Sequence, residues 1–339
     1  MRDLLWMEID LNQIIENINV IQKATRKKVI PVIKSEAYNL GDSAINHLTN
    51  NLDLDYVAVV DFQEARKIFK LKKEVLVLNS LDYSEYQYIN DSPYLVISIN
   101  KLPDASHLEK LNLSRKLKVH LQVDTGMNRL GFKDLNEFKE AINRLKKIDN
   151  LEIEGIYTHF SSLKNATNQL EKFKEFDKVY NFKIVHLCAT STYNYIDYGN
   201  YVRVGLDVYG TNKVNQAIKV ACFPIEIRSI KAGETVGYDE EFIAKQDMKI
   251  AVLSIGYANG FRRSLQGYTV MANNKLYKTI GKVCMNHLFV EIDESITYDT
   301  EFIITSKLHP IDEMAKYLKT TQHEILCMFN INARKYLKD

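Results

Sequence analysis

The sequence has few cysteines and no long apolar segment. Only four of its 339 residues are cysteine, and they are far apart, with no C-x-x-C pair. A structural zinc site and a disulfide framework are both disfavoured, and reduced cysteines fit a cytoplasmic protein. No apolar run approaches membrane-spanning length. Glu8 and Asp10 follow the first residue too closely for an ordinary signal peptide. We therefore expect a cytoplasmic protein without a bound metal.

The sequence also has no large excess of one charge. It contains 45 basic and 43 acidic residues, which gives a net charge of +2. Its lysine-rich clusters lie beside acidic residues in helical patterns, as on solvated surfaces, so neither nucleic acid nor a membrane is expected as a partner. A Walker loop, a G-x-S-x-G elbow and an H-E-x-x-H helix are absent. The eight histidines are dispersed, so a metal site would need ligands from distant segments.

Short apolar runs alternate with amphipathic stretches over the first two-thirds of the chain. Each run is rich in Val, Ile, Leu or Tyr and is bounded by polar residues, which is typical of a strand buried on both faces. The runs are Val29–Lys34, Tyr56–Val60, Val75–Asn79, Tyr94–Ile99, Leu117–Val123, Leu151–His159, Ile184–Ala189 and Tyr201–Val204. Eight strands separated by helices over roughly 200 residues predict an α/β fold with a (β/α)8 TIM-type barrel. The alternative, a doubly wound open sheet, lacks its G-x-G-x-x-G turn after the first strand.

The pattern changes after about residue 220. Strand-like segments, of which Val220–Ile227 is the first, follow one another with glycines between them and without long helices, which predicts a mainly antiparallel β domain. One late helical pattern lies near Ile311–Leu318. The early strand Trp6–Ile9 is able to join this domain. We therefore predict a barrel over residues 11–219, and a C-terminal β domain formed by residues 1–10 and 220–339.

Several residues suited to catalysis or phosphate binding lie at or just after the carboxyl ends of the predicted barrel strands. In barrels of this kind, reactive residues gather at the carboxyl ends of the strands. Those found here are Lys34, Asp124, Arg129, His159, Ser191, Arg203 and Gly205. Each of them alone also fits an ordinary structural role. Together, however, a lysine able to form Schiff bases and a phosphate site after strands 7 and 8 predict a pocket for a phosphorylated aldehyde. Pyridoxal 5'-phosphate is the obvious candidate.

A series of longer motifs runs in order along nearly the whole chain. The segments are Val32–Tyr38, Val123–Gly131, Thr158–Phe160, Arg203–Gly205 with Tyr209–Gly210, Val236–Tyr238, Ile255–Gly260 and Gly281–Met285. This series resembles the alanine racemase family, whose members are pyridoxal-phosphate-dependent, barrel-type enzymes. One such match would be weak, whereas the ordered series is specific.

The resemblance implies an isomerase that interconverts L- and D-alanine, or another small amino acid, by a two-base mechanism. Lys34 would hold the cofactor as an internal aldimine and act as the base on one face of the substrate. Racemisation needs a second acid/base on the opposite face, and the resemblance assigns that role to Tyr238 of the β domain. In the family this tyrosine crosses a subunit boundary, which implies a homodimer with shared active sites. If alanine is the substrate, the product would serve D-alanine biosynthesis for a bacterial cell wall.

The resemblance also implies roles for the other candidate site residues. Arg203 would face the pyridine nitrogen, His159 would pack beside the ring, and Arg129 would lie near the ring hydroxyl and the substrate carboxylate. The phosphate or its neighbourhood would be held by Tyr38, Ser191, Gly205 and Tyr257. The substrate would contact Arg129, Tyr238 and Met285.

Some positions depart from the family pattern. Gln122 stands where many members carry a lysine, and it is able to hydrogen-bond Arg129 without neutralising it. Asn286 stands where an aspartate is common, which changes the charge of the substrate pocket. The other departures are Thr190, Ile331 and the loop Tyr38–Gly41. These changes leave the reaction type intact but leave the choice of amino acid open.

Two other functions remain as alternatives. A pyridoxal-phosphate-dependent decarboxylase of basic amino acids has the same barrel-plus-β architecture, but its chains are usually longer. The Tyr238 segment and the position of Arg203 also argue against it. A non-catalytic pyridoxal-phosphate carrier resembles the barrel alone, so the predicted β domain argues against that function.

Overall fold

The computed structural model describes residues 2–211 and 213–338. The chain divides into two compact units, one formed by residues 18–37 and 41–208, the other by residues 1–17, 38–40 and 209–339. These boundaries fall near residues 17 and 208, whereas the sequence suggested residues 10 and 219. We call them the barrel unit and the sheet unit.

Helices occur throughout the part of the chain that the structure describes. They are α1 (Leu11–Thr25), α2 (Lys34–Asn39), α3 (Asp42–Asn51), α4 (Phe62–Ile68), α5 (Leu102–Leu108), α6 (Leu135–Leu145), α7 (Ala166–Asp177), α8 (Leu206–Tyr209), α9 (Ile311–Leu318) and α10 (Gln322–Met328). Short 3-10 helices lie at Phe69–Leu71, Tyr83–Tyr88, Leu163–Asn165, Tyr238–Glu240, Tyr257–Asn259 and Arg263–Leu265. Over residues 2–211 and 213–338, no helix combines the length and apolarity needed to cross a membrane.

The strands of the chain are numbered β1 to β19. The first, β1, spans Leu5–Asp10, and the barrel unit contains β2 (Lys28–Pro31), β3 (Tyr56–Val59), β4 (Glu74–Val77), β5 (Leu95–Ile99), β6 (Leu117–Gln122), β7 (Leu151–Tyr157), β8 (Ile184–His186) and β9 (Tyr201–Val204). The sheet unit continues with β10 (Ile218–Cys222), β11 (Pro224–Ile230), β12 (Thr235–Val236), β13 (Phe242–Ile243), β14 (Met248–Leu253), β15 (Thr269–Ala272), β16 (Lys275–Ile280), β17 (Leu288–Ile292), β18 (Phe302–Thr305) and β19 (Arg334–Leu337).

The barrel unit contains one parallel sheet of eight strands. They pair in the order β2-β9-β8-β7-β6-β5-β4-β3. A parallel bridge from Val32 to Ala58, with Ile33 N donating to Ala58 O at 2.8 Å, connects the two ends of that order. The predicted (β/α)8 barrel is thereby confirmed. The predicted first strand is too long, because regular pairing stops at Pro31 and only the bridge at Val32 follows.

The apolar pattern of the sequence explains how this sheet is buried. Side chains from several strands, among them Ile30, Ala58, Leu76 and Val96, form one buried cluster. Helices cover the outer surface through apolar residues at helical spacing; the buried residues of α6 are Phe138, Ala141, Ile142 and Leu145. Strands buried on both sides therefore consist of nearly continuous apolar runs, as the sequence indicated.

The sheet unit is built on a nine-stranded sheet, in the order β11-β14-β17-β16-β15-β18-β10-β1-β19. Its pairs are antiparallel except for β1 with β19, which is parallel. The early strand does join the β domain, as predicted.

Two predictions about the sheet unit were wrong. The run Val220–Ile227 forms two strands separated at Phe223, and the single late helix is followed by α10 and β19. Only Ile325 and Leu326 of α10 are buried, too few to form a helical pattern.

Candidate active site

One cavity of the barrel unit collects several of the residues singled out by sequence. Its volume is about 260 Å³. Lys34, Arg129, His159 and Arg203 line it, together with Val60, Leu78, Asn79, Gln122, Leu130 and Tyr157. Most of these residues lie at or just after the carboxyl ends of barrel strands, where such folds carry their reactive groups. The cavity therefore combines an amine, two guanidinium groups and an imidazole.

Lys34 begins an unusual turn of backbone. The five residues that follow it, from Ser35 to Asn39, all have positive φ, between 51° and 70°. None of them is glycine, and this region costs about 1–2 kcal/mol per residue for other amino acids. Two backbone amides beside this turn are held by one carboxylate, because Ser35 N donates to Glu64 at 2.6 Å and Val60 N donates to it at 2.9 Å. A local conformation of this cost persists only where surrounding contacts fix it, and such places are often functional.

Arg203 is the most deeply buried charged residue lining the cavity, at 4% exposed. One of its nitrogens, Nη1, donates to His186 Nδ1 at 2.6 Å and to His186 O at 2.5 Å, while Nη2 donates to Thr158 O at 2.6 Å. The guanidinium carbon lies 4.8 Å from the centre of the Tyr157 ring. Burial lowers the pKa of Arg203 to about 10, which leaves it charged at neutral pH.

Tyr157 is a site residue that sequence reasoning missed. Its hydroxyl lies 2.7 Å from Ser98 Oγ and 2.9 Å from Gln122 Oε1. Burial raises the pKa of Tyr157 to about 12, although Ser98 and the charge of Arg203 oppose that rise. Tyr157 stands two positions before His159 in a predicted strand, and alternate residues of a strand share one face. The sequence could therefore have identified Tyr157 as a neighbour of His159. Gln122 thus binds Tyr157 at the position where the family often has lysine.

Arg129 is presented by the loop between Asp124 and Gly131. Asp124 Oδ1 accepts from the backbone N of Gly126 at 2.9 Å and of Asn128 at 3.0 Å. At the end of the loop, Gly131 has φ +112°, and a Cβ there would lie 2.8 Å from Asp124 N. Gly131 therefore allows the loop to close tightly beside the cavity.

The residues expected near a phosphate are divided between the two units. In the barrel unit, Ser191 is exposed and Gly205 is buried. Their loops are linked because Tyr193 OH donates to Asp207 Oδ2 at 2.8 Å. Tyr38 and Tyr257 belong to the sheet unit. Tyr38 is buried with its ring 5.1 Å from that of Tyr209, whereas Tyr257 is 43% exposed.

The sheet unit brings three predicted site segments together. Tyr257 N donates to Cys284 O at 3.0 Å, and the next amide, that of Ala258, donates to Met285 O at 2.9 Å. Asp239, directly after Tyr238, forms an ion pair of 2.6 Å with Lys282, which belongs to the segment that carries Cys284 and Met285. Tyr238 is 66% exposed and Met285 is 55% exposed. The three candidate residues therefore present accessible side chains on neighbouring segments.

Comparisons with known proteins agree with this arrangement. The family model "Alanine racemase, N-terminal domain" matches residues 9–213, and "Alanine racemase, C-terminal domain" matches residues 217–336. The alanine racemase of Borreliella burgdorferi is 31% identical and covers 97% of this chain and 96% of its own. The chain is therefore an isomerase of the amino-acid racemase class. Within that class it belongs to the alanine racemase family.

Two solved structures illustrate the range of similar proteins. The alanine racemase of Bartonella henselae, with covalently bound pyridoxal phosphate, gives a TM-score of 0.90 at 22% identity over 99% of this chain and all of its own. A histidine racemase of Leuconostoc mesenteroides gives 0.88 at 18% identity, over 99% of both chains. At such identities the likeness shows the fold alone. The C-terminal domain model covers residues 217–336, a part of the chain that a carrier consisting of the barrel alone would lack.

We predict that Gly131→Ala destabilises the barrel unit more than Gly126→Ala. Both glycines have positive φ, but the nearest atom to a new Cβ at Gly126 is Gln169 at 3.7 Å. Gly126→Ala should therefore cost about 1–2 kcal/mol from its backbone alone. Gly131→Ala should cost about 1–3 kcal/mol more, because its Cβ meets rigid backbone. Urea unfolding followed by circular dichroism measures both, and equal losses would contradict the close approach.

Proposed function

We propose that this chain interconverts the L- and D-forms of alanine, or of another small amino acid, with pyridoxal 5'-phosphate held by Lys34. The observation that carries this proposal is the single cavity that Lys34 shares with Arg129, His159 and Arg203. Membership of the alanine racemase family supports the same reaction.

The donors present fit this cofactor. A primary amine is the group that binds an aldehyde covalently, and Lys34 lines the cavity. The cations Arg129 and Arg203 suit a ligand that carries a phosphate and a substrate that carries a carboxylate. When bound, pyridoxal phosphate withdraws electrons from the α-carbon of an attached amino acid and so makes its hydrogen acidic.

The chain's own residues would then bind, orient and move one proton. Lys34 Nζ would remove or return it on one side of the substrate, and the Tyr238 hydroxyl would do so on the other. Two groups are needed because inversion requires removal from one face and return to the opposite face. Arg129 would hold the substrate carboxylate. Arg203, which only donates hydrogen bonds, would face the ring nitrogen and leave it unprotonated.

A homodimer completes this proposal. The exposed surface that carries Tyr238, Tyr257 and Met285 supports a role for these residues in the site of a second copy. Exposed aromatic and methionine side chains of this kind are frequent at interfaces. We place the reaction in the cytoplasm, where it would supply D-alanine for a bacterial cell wall.

Lys34→Ala should lose covalently bound cofactor. We expect the wild-type protein to be yellow, and borohydride treatment to fix the cofactor on the peptide that contains Lys34. Peptide mass spectrometry reads this directly. Lys133→Ala, at an exposed lysine after the Asp124–Gly131 loop, is the matched control and should keep both the colour and the labelled peptide. A label on another lysine would contradict the assignment.

Tyr238→Phe should keep the cofactor but lose most racemisation. Loss of an acid/base group typically lowers the rate by about 10²–10⁴-fold. Polarimetry measures racemisation, and the visible spectrum measures the bound cofactor. Tyr298→Phe removes the hydroxyl of another exposed tyrosine of the sheet unit and should leave the rate unchanged. Full activity of the Tyr238 variant would remove this residue from the mechanism.

Mixing the two inactive variants tests whether Tyr238 acts in a partner's site. A hybrid dimer of Lys34→Ala and Tyr238→Phe has one site with both groups if they come from different subunits. Co-refolding should then restore about a quarter of the wild-type activity, since half of the dimers are hybrids with one competent site. No recovery, with dimers present by light scattering, would assign both groups to one subunit.

Exchange of the α-hydrogen in deuterated water identifies the substrate. We expect D- and L-alanine to exchange fastest in a panel of amino acids, with formation of the opposite enantiomer detected by chiral chromatography. Histidine belongs in the panel because one similar solved structure is a histidine racemase. Asn286 and Gln122, which depart from the family pattern, are the reason to test more than alanine. Formation of an amine with loss of carbon dioxide would instead indicate decarboxylation and contradict the proposal.

A further inference from the structure

A chain of buried polar groups leads away from Arg203 into the barrel interior. His186 Nδ1 contacts Arg203, and its other nitrogen, Nε2, lies 2.8 Å from His120 Nδ1. His120 Nε2 in turn lies 3.5 Å from the Glu154 carboxylate. Both imidazole rings are completely buried, and Glu154 is buried as well. The chain thus connects a cation at the cavity with an anion through two histidines.

The hydrogen bonds of this chain run in one direction. Arg203 only donates, so His186 Nδ1 must accept and carries no proton. Burial lowers the pKa of both histidines, so both are neutral. A neutral His186 then has its proton on Nε2 and donates to His120 Nδ1. A neutral His120 must therefore have its proton on Nε2, facing the carboxylate.

An irregularity of β7 places Glu154 in this chain. Val119 pairs with Ile153 and His120 pairs with Gly155, so Glu154 is an extra residue between two paired positions. Such a bulge re-aims a side chain. Gly155 leaves space for the imidazole, because a Cβ there would lie 2.7 Å from the His120 ring.

Glu154 is an anion in this surrounding. Although burial opposes ionisation, the hydrogen bond from Tyr56 and the charge of Lys118 hold the pKa of Glu154 well below its ordinary value. Lys118 lies 3.3 Å from Glu154 and 3.2 Å from Glu74. The group therefore contains two cations, counting Arg203, and two carboxylates, so its charges balance.

We propose that Glu154 is a positioning residue, which fixes the tautomers of His120 and His186 and serves as the distant counter-ion of Arg203. Its carboxylate lies 3.5 Å from His120 Nε2 and forms no hydrogen bond of ordinary geometry with it, but its negative charge favours the proton on that nitrogen. This leaves His186 Nδ1 bare for the guanidinium. Nothing in this step needs a bound ligand. Its consequence for the cofactor, which Arg203 would contact, rests on the proposed function.

Nitrogen NMR of the cofactor-free protein tests the tautomers. With ¹⁵N-labelled histidine, assigned by replacing His120 and His186 one at a time with Gln, both rings should be protonated at Nε2 and bare at Nδ1. This wild-type pattern is decisive by itself. A protonated Nδ1 on His186 would overturn the proposal whatever the variants do.

Three variants separate positioning from folding. Glu154→Met removes the carboxylate at similar size, and we expect His186 Nδ1 to become protonated in part of the molecules. Glu154→Gln keeps an acceptor oxygen and should retain the wild-type pattern, which a merely space-filling role would not require. Glu152→Gln, on the same strand, removes a carboxylate that pairs with Lys116 at 2.6 Å outside the chain of histidines, and it should change nothing. Wild-type tautomers in folded Glu154→Met would refute the proposal.

Cofactor titration gives the second measurement. Loss of an outer partner of a ligand-binding group commonly costs about 10–100-fold, and we expect at least about tenfold weaker binding of pyridoxal phosphate by Glu154→Met. Glu152→Gln should bind as the wild type does. Altered tautomers with unchanged binding would reject the link from Glu154 to the cofactor. Absence of binding by the wild-type protein would instead refute the proposed function and leave the NMR result standing.

Discussion

The buried guanidinium of Arg203 constrains much of the barrel interior. An isolated charge in an apolar surrounding is very costly, and it is tolerated only when hydrogen bonds and an opposite charge compensate it. Here the His186 imidazole, two backbone carbonyls and the face of Tyr157 surround the group. Because these partners come from β7, from its end and from β8, the position of one side chain depends on the register of several strands.

The closed sheet makes such a constraint possible. In an open parallel sheet, residues of the first and last strands would lie far apart, but here β2 pairs with β9 and Ile30 lies opposite Arg203. The segment after β2 carries Lys34, and Arg203 lies on the adjacent strand β9, so the amine and the guanidinium come from neighbouring parts of the sheet. The apolar runs that drive burial of the sheet thereby also determine which polar residues meet at its carboxyl end.

The sequence was sufficient to predict the barrel strands and the residues at their carboxyl ends, because both follow from the spacing of apolar residues. Lys34, Arg129, His159 and Arg203, each taken from a strand end, do line one cavity.

Three features of the structure could not be predicted from the sequence. The positive φ values after Lys34 occur at Ser35, Glu36, Ala37 and Tyr38, whose residue types have no preference for them, as well as at Asn39. Strict alternation along β7 would turn Glu154 outward, and only the bulge reverses it. The contact of Tyr157 with Gln122 needs the register between β6 and β7, which one sequence does not contain. Whether the predicted roles of Tyr238, Ser191 and Tyr257 hold depends on the partner and ligand, so they stay predictions.

The balance of charge at the cavity favours a ligand with a carboxylate but does not determine the side chain of that ligand. Among the residues that line it, Lys34, Arg129 and Arg203 carry basic groups, and none is a carboxylic acid. In a site partly shielded from water, such groups favour anionic ligands and the negative charge that develops when a proton leaves carbon. The carboxylates of Glu154 and Glu74 offset the charges of Lys118 and Arg203, so the excess of positive charge remains with Lys34 and Arg129. The neutral amide of Gln122, which also lines the cavity, leaves this excess beside Arg129 intact. A substrate carboxylate should therefore be held strongly whatever the side chain beyond it. Under the proposed function, selection among amino acids would fall to exposed positions such as Met285 and Asn286.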